Sequence, residues 1–446
     1  MFPVVVIVGR PNVGKSTLFN CLTRTRQALV LDEPGVTRDR HYGQLQLGDQ
    51  TCLLVDTGGL MGETPHNPMD EKIAQQVEQA IGEADHILFI VDGRQPLTTA
   101  DHEIAQYLRK NNKPVTMVVN KTEGRNRDNI LADFFSLGWG TPLAISASHA
   151  QGMEAIKDVL SAALQNHQAI EADTFVPEGI KIAIVGRPNV GKSTLVNRML
   201  GEERVIVFDA PGTTRDSIFI PMQRFGKNYT LIDTAGVRRK RQLDTALEHY
   251  SVVKSMQAIK VADVVIFVIN GQEGVTDQDL HLLDFIVETG RALVIAVNKW
   301  DGLSDYDREQ VQQKLDRKLS FVDFAQLFFI SALHGSNVGL LFKAVDQAYQ
   351  SATQLLSTSA LTDALQQAIF DHQPPMVKGR RIKLRYAHMG GHLPPTIVIH
   401  GNQVNSLPQS YARYLVREFR KTFQLHGTPI KIILKSSKNP FLDAED

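Results

Sequence analysis

The sequence predicts an α/β protein: two tandem domains, each a parallel sheet in a three-layer αβα arrangement, followed by a small α+β domain. Three observations predict it. The stretch GRPNVGKS occupies residues 9–16 and recurs, letter for letter, at 186–193. Around each copy, continuous apolar runs alternate with amphipathic stretches, the pattern of a parallel sheet buried on both faces. The last hundred residues change to a helix, two strands, a helix and a strand.

The first domain should hold strands at Val4–Val8, Cys52–Val55, Ile87–Val91, Val115–Val119 and Leu143–Ile145. The second should hold them at Ile182–Val185, Thr230–Ile232, Val264–Ile269, Leu293–Val297 and Phe328–Ile330. A shift of 177 residues lays Gly9 on Gly186, Asp32 on Asp209, Thr37 on Thr214, Asp56 on Asp233 and Gly59 on Gly236. A period that long is a duplicated domain, not a solenoid. The expected segments are 1–165, an acidic linker 166–178, 179–349 and 350–446. In the last, the elements are a helix Leu361–Phe370, strands Ile382–Ala387 and Thr396–His400, a helix Ser410–Phe423 and a strand Ile430–Lys435. His388 to Pro395 is expected as the loop between the first two strands.

Each repeated loop follows an apolar strand and opens a helix, the context of a phosphate-binding P-loop. Gly9, Arg10, Pro11, Asn12, Val13 and Gly14 lead into Lys15, Ser16 and Thr17. Gly186, Arg187, Pro188, Asn189, Val190 and Gly191 lead into Lys192, Ser193 and Thr194. Backbone N–H groups turn inward around phosphate, Lys15 and Lys192 reach the β/γ-phosphates, and Ser16 and Ser193 offer hydroxyls to Mg²⁺. Asp56-Thr57-Gly58-Gly59 and Asp233-Thr234-Ala235-Gly236 then end strands as DxxG. The aspartate holds Mg²⁺ through water and the last glycine senses the γ-phosphate. DxxG is a weak signal alone and a strong one about 40 residues after a P-loop.

Asn298-Lys299-Trp300-Asp301 follows the strand Leu293–Val297. A carboxylate there accepts from guanine N1–H and the exocyclic N2 amine, and repels adenine. Asn298 bonds the other base edge, the Lys299 stem packs on the ring, and a backbone N–H at Ser331-Ala332 reads O6. The first copy carries Asn120-Lys121-Thr122-Glu123, then Ser146-Ala147, with Glu in place of the expected Asp. A bidentate base contact is worth about 1–3 kcal/mol. The first site therefore either keeps guanine selection, the favoured reading, or has drifted to a structural or weakly selective role.

Composition excludes several classes. With 43% hydrophobic and 22% charged residues the chain is not a disordered one. Two cysteines, Cys21 and Cys52, without CxxC spacing speak against a disulfide framework or zinc site. The apolar N-terminal run has no basic leader and enters the P-loop directly, so it reads as a strand, not a signal peptide. No apolar segment approaches membrane-spanning length. The expectation is a soluble cytoplasmic protein without membrane contact. A whole-chain charge of zero hides an asymmetry: residues 350–446 carry 12 basic against 6 acidic side chains.

These features together resemble the EngA/Der GTPases, bacterial proteins with two tandem Era-like G domains and a C-terminal KH-like domain. The resemblance spans the chain and is most specific in the doubled loop and in the PGTTRD-like segments Pro34–Asp39 and Pro211–Asp216. It implies GTP and GDP as ligands, GTP hydrolysis, and a role as a monomer in assembly of the large (50S) ribosomal subunit, with its rRNA as partner. It makes Thr37 and Thr214 the switch threonines that join Mg²⁺. The water-orienting Gln that follows DxxG in Ras-like enzymes is replaced by Leu60 and Val237. Related G domains use a P-loop Asn to help bind K⁺, and Asn12 and Asn189 stand there; alternatively they only shape the loop. No GxxG follows residue 350, so the usual KH grip on RNA is missing. Lys378, Arg380, Arg381, Lys383 and Arg385 still suit a phosphate surface, docking on a G domain, or a merely solvated face. The run Arg238-Arg239-Lys240-Arg241, just past the second DxxG, is either a state-dependent contact or plain surface. Two other functions compete with a ribosomal switch: a P-loop phosphotransferase and a GTP-dependent partner of an RNA-modifying enzyme.

Overall fold

A computed structural model describes residues 3–23, 29–31, 40–48, 50–57, 77–78, 80–124, 127–164, 179–201, 205–207, 218–233, 252–377 and 380–436. The linker 166–178, both PGTTRD-like segments and the basic run Arg238–Arg241 lie outside the described residues. The chain divides into two compact units, Met1–Thr174 and Phe175–Asp446.

In the first unit the strands are β1 (Val4–Val8), β2 (Leu29–Leu31), β3 (Arg40–Leu47), β4 (Gln50–Asp56), β5 (His86–Asp92), β6 (Val115–Asn120) and β7 (Leu143–Ala144). They form one sheet in the order β2-β3-β4-β1-β5-β6-β7. β1, β4, β5, β6 and β7 pair in parallel, as the continuous apolar runs predict. All five residues of β1 and all seven of β5 are buried. Each such Val, Leu or Ile side chain contributes roughly 1.5–3 kcal/mol.

β2 and β3 add an antiparallel edge to this mostly parallel sheet. The sequence hid β3 because it is half polar: Leu45 and Leu47 are buried while Gln46 between them is exposed. A continuous apolar run marks a strand covered on both faces; an edge strand shows only alternation.

The second unit repeats this plan with β8 (Ile180–Val185), β9 (Val205–Val207), β10 (Ile218–Arg224), β11 (Lys227–Asp233), β12 (Val264–Asn270), β13 (Ala292–Asn298) and β14 (Gln326–Phe329). Their order is β14-β13-β12-β8-β11-β10-β9, with β9 and β10 again antiparallel. The β10–β11 hairpin turns at Phe225 and Gly226, both at positive φ, which matches the twist of the flanking strands.

The C-terminal portion adds the short pair β15 (Met376–Val377) and β16 (Arg380–Arg381). It also adds a three-stranded sheet of β17 (Lys383–Gly391), β18 (Thr396–Asn402) and β19 (Lys431–Ser436). Helices Thr358–Asp371 and Gln409–Phe423 cover one face through Leu361, Leu365, Leu415 and Phe419. The expected loop His388–Pro395 is shorter than the sequence suggested: β17 continues to Gly391. The glycines allow this, because a Cβ at Gly390 would meet Val398 Cγ2 at 2.6 Å. Alternation at 381–385 holds: Ile382 and Leu384 are buried, while Arg381, Lys383 and Arg385 are exposed.

The helix Val338–Thr353 runs through the expected boundary at 349/350. The small domain then docks on the second αβα layer. Gly427 accepts from Leu293 N–H at 2.7 Å and donates to Phe324 O at 2.8 Å; Leu393 N–H donates to Ala352 O at 3.0 Å. Arg420 pairs with Asp323 at 3.0 Å. Among the described residues no helix is long and apolar enough to cross a membrane.

Candidate functional site

Each P-loop links the end of a central strand (β1 or β8) to a helix, Lys15–Thr23 or Lys192–Leu200. Asn12 and Asn189 sit at φ 64° and 61°, and Gly14 and Gly191 at 102° and 97°, where asparagine and glycine are the tolerant residues. Gly14 and Gly191 have a second reason. A Cβ there would lie 2.3 Å from the Nδ2 of Asn120 or Asn298.

Lys15 is buried, and its Nζ donates to the carbonyls of Gly9 at 3.0 Å and Arg10 at 2.8 Å. Lys192 Nζ donates to Arg187 O at 2.7 Å. The loop thus holds its ammonium at its own centre. Ser16 Oγ donates to Asp56 Oδ2 at 2.6 Å, which brings together two oxygen donors that the sequence separates by 40 positions. An all-oxygen set with few protein ligands suits Mg²⁺, which keeps waters and binds substrate phosphates. Thr57 Oγ1 donates to Ile7 O at 2.8 Å and ties this strand end to β1. Thr17 and Thr194 are exposed on the first helical turn. Gly58, Gly59, Leu60 and Thr37 lie outside the described residues, as do Thr214, Thr234, Ala235, Gly236, Val237 and the Asp233 side chain.

Arg10 and Arg187 turn to the next helix in the sheet. Arg10 Nε lies 3.3 Å from Asp101, and Arg187 Nε 3.0 Å from Asp279. Those aspartates also complete capping boxes with Thr98 and Thr276. Neighbouring residues complete the hold: Arg10 donates to Gln95 at 2.8 Å, and Arg187 to Glu273 at 2.8 Å. Pro11 and Pro188, beside these arginines, are less buried than Val13 and Val190, whose side chains are fully covered.

The corner where the Asn-Lys motif meets the Ser-Ala turn is built alike in both copies. Asn120 Nδ2 donates to Val13 O at 2.8 Å, and its Oδ1 accepts from Ala147 N–H at 2.9 Å. Asn298 does the same with Val190 O at 2.8 Å and Ala332 N–H at 2.9 Å. One amide therefore joins P-loop, strand end and the Ser-Ala turn, where it holds the alanine N–H. Lys121 and Lys299 adopt φ 65° and 62°. Thr122 is buried and donates to Ile145 O at 2.9 Å. The Trp300 ring packs tilted against that of Phe329, with centroids 4.1 Å apart.

The carboxylates sit in similar surroundings. The Ser146 hydroxyl, the Glu123 backbone N–H and Arg94 hold the Glu123 carboxyl down to about 2. The Ser331 hydroxyl, its own backbone N–H and His334 hold Asp301 below the usual carboxylate range. Two residues of the first corner, Asp92 and Arg94, were missed in the sequence. Asp92 accepts from Lys121 Nζ at 2.7 Å and from Arg94 N–H at 2.9 Å, and Arg94 pairs with Glu123. The available signal was an aspartate at the carboxyl end of a parallel strand, where ligands gather. His388, seen in sequence as a glycine-loop residue, lies on β17, and its Nε2 is 3.1 Å from that of His400. Among the described residues no cluster of three metal-ligating side chains occurs.

Known proteins match this architecture. A family model described as 50S ribosome-binding GTPase matches residues 4–121 and 181–299. A second, described as the C-terminal KH-domain-like region of EngA bacterial GTPases, matches 356–435. GTPase Der of Coxiella burnetii is 54% identical over 450 residues, covering 100% of both chains. GTPase Der of Saccharophagus degradans is 55% identical over 442 residues, covering 99% of this chain and 93% of its own. Two G domains with matching P-loops, a KH-like domain after them in the chain and this identity along the full length have one meaning: the chain belongs to the GTPase Der (EngA) family and is a GTP-binding, GTP-hydrolysing enzyme.

Proposed function

We propose that the chain is a nucleotide-gated factor in assembly of the large (50S) ribosomal subunit, working as a cytoplasmic monomer on rRNA. The observation that carries this reading is one complete guanine-reading corner built twice and joined to a domain with a basic strand face. Its working parts are residues 1–165, 166–178, 179–349 and 350–446.

Within each G domain the loop N–H groups and Lys15 or Lys192 take the β/γ-phosphates. Glu123 and Asp301 accept from guanine N1–H and the N2 amine. Lys121, Lys299, Thr122 and Trp300 flank the ring, and the Ser146-Ala147 and Ser331-Ala332 turns border O6. Ser16, Thr37 and Asp56, with Ser193, Thr214 and Asp233, would hold Mg²⁺. When bound, that ion supplies charge at the β/γ oxygens. Gly59 and Gly236 sense the γ-phosphate and set the switches. Leu60 and Val237 have no side chain that bonds water, so unaided turnover is slow, on the order of 10⁻⁴–10⁻² s⁻¹. Asn12 and Asn189 present exposed side chains at the loop tip and would hold K⁺, whose charge stands in for an arginine finger.

Co-sedimentation of the full chain with 50S particles tests the reading. Binding should be strong with a non-hydrolysable GTP analogue, weak with GDP, and lost when Arg381, Lys383 and Arg385 are all changed to Glu. Absence of binding in every nucleotide state would overturn it.

A further inference from the structure

Besides Thr122 against Trp300, the two guanine corners differ at three positions. The first carries Asp92, Arg94 and Glu123; the second carries Asn270, Gln272 and Asp301 at the equivalent places. Equivalence rests on geometry: Gly93 N–H donates to Asn120 O at 2.7 Å, and Gly271 N–H to Asn298 O at 2.8 Å. Likewise Arg94 N–H donates to Asp92 Oδ1 at 2.9 Å, and Gln272 N–H to Asn270 Oδ1 at 3.0 Å. Asp92 and Arg94 add one charge of each sign, so the first corner keeps the neutrality of the second.

Glu123 is one methylene longer than Asp301, and a longer arm must be fixed before it can read a base. Its Oε1 is held by Arg94. Its Oε2 is buried and makes no hydrogen bond of ordinary geometry among the described residues. A carboxylate oxygen has two acceptor sites, so Oε1 can keep Arg94 and still take a base donor, while Oε2 is covered. Both carboxylates feel the serine of the following turn first, Ser146 for Glu123 and Ser331 for Asp301. Arg94 is itself steered, because Asp92 bonds its backbone N–H and also Lys121.

We infer that Arg94 is a specificity-determining positioning residue of the first G domain, clamping Glu123 so that it reads guanine as the shorter Asp301 does. This rests on Glu123 being the base-reading carboxylate, and the test separates the two ideas. The full chain is used with the second site silenced by Lys192→Ala, and GDP and IDP affinities are measured; IDP lacks the N2 amine. Arg94→Gln should weaken GDP binding about 10-fold and shrink the GDP-to-IDP ratio, a bidentate base contact being worth about 1–3 kcal/mol. With Glu123→Asp in place, Arg94→Gln should change GDP affinity less than about 2-fold. An equal effect in both backgrounds, or an unchanged ratio, would overturn the clamp. Tighter GDP binding by Arg94→Gln would also overturn it, making Arg94 a competitor for the carboxylate. If Glu123→Ala left the GDP-to-IDP ratio intact, the base-reading role itself would fall, whatever Arg94 did.

Discussion

Asn298 does at one residue what a disulfide does for a longer loop: it ties segments that the sequence keeps far apart. The side chain is buried, and its amide saturates Val190 C=O and Ala332 N–H. Both partners are themselves buried. Removing the amide strands one acceptor and one donor away from water, at about 1–3 kcal/mol each. Asn298→Ala should therefore destabilise the second unit by roughly 2–4 kcal/mol and weaken its nucleotide binding. Trp300 and Trp139 are the chain's two tryptophans, one in each unit, so the urea transition of each unit can be followed separately. An unchanged Trp300 transition would mean that the stitch is carried by other groups. The asparagine was legible in sequence as a base contact; its structural half was not, because both its partners are backbone atoms that carry no sequence signature.

At the scale of elements, the central strands are where burial dominates. His86 opens β5, is nearly covered, and has its Nε2 2.8 Å from Thr116 Oγ1. Burial lowers its pKa to about 4. The folded state thus keeps the ring neutral, while the unfolded chain titrates near the ordinary value of about 6.5. As pH falls from about 6.5 towards about 4, the unfolded state takes the proton first and the first unit loses stability, by up to about 3 kcal/mol. The Trp139 transition should shift to lower urea across that window, and His86→Gln should flatten the shift. An equally steep shift in the variant would place the titrating group elsewhere. The same strands show why the parallel layer was readable and its edges were not. β5 is apolar from Ile87 to Val91 and β12 from Val264 to Ile269 because helices cover both faces. β3 and β10 meet cover on one face and keep glutamines on their length, so no continuous run announces them.

For the whole molecule, two complete phosphate loops in separate compact units imply two independent sites. Lys15→Ala and Lys192→Ala should each lower the GDP stoichiometry from two to one in calorimetric titration, leaving the other site's affinity unchanged. Loss of both sites from either change would sink that independence. The sequence by itself determined the duplication, the phosphate loops, the DxxG and guanine-reading signatures and the basic C-terminal strand. Each of these is written in contiguous residues whose spacing the chemistry dictates. Only the tertiary structure decided that Arg10 answers to Asp101, that Arg94 holds Glu123, and that Gly427 and Leu393 seat the KH-like domain on the second G domain. Those contacts join side chains or peptide groups that only the folded strands bring within bonding distance, so no local periodicity or motif can carry them.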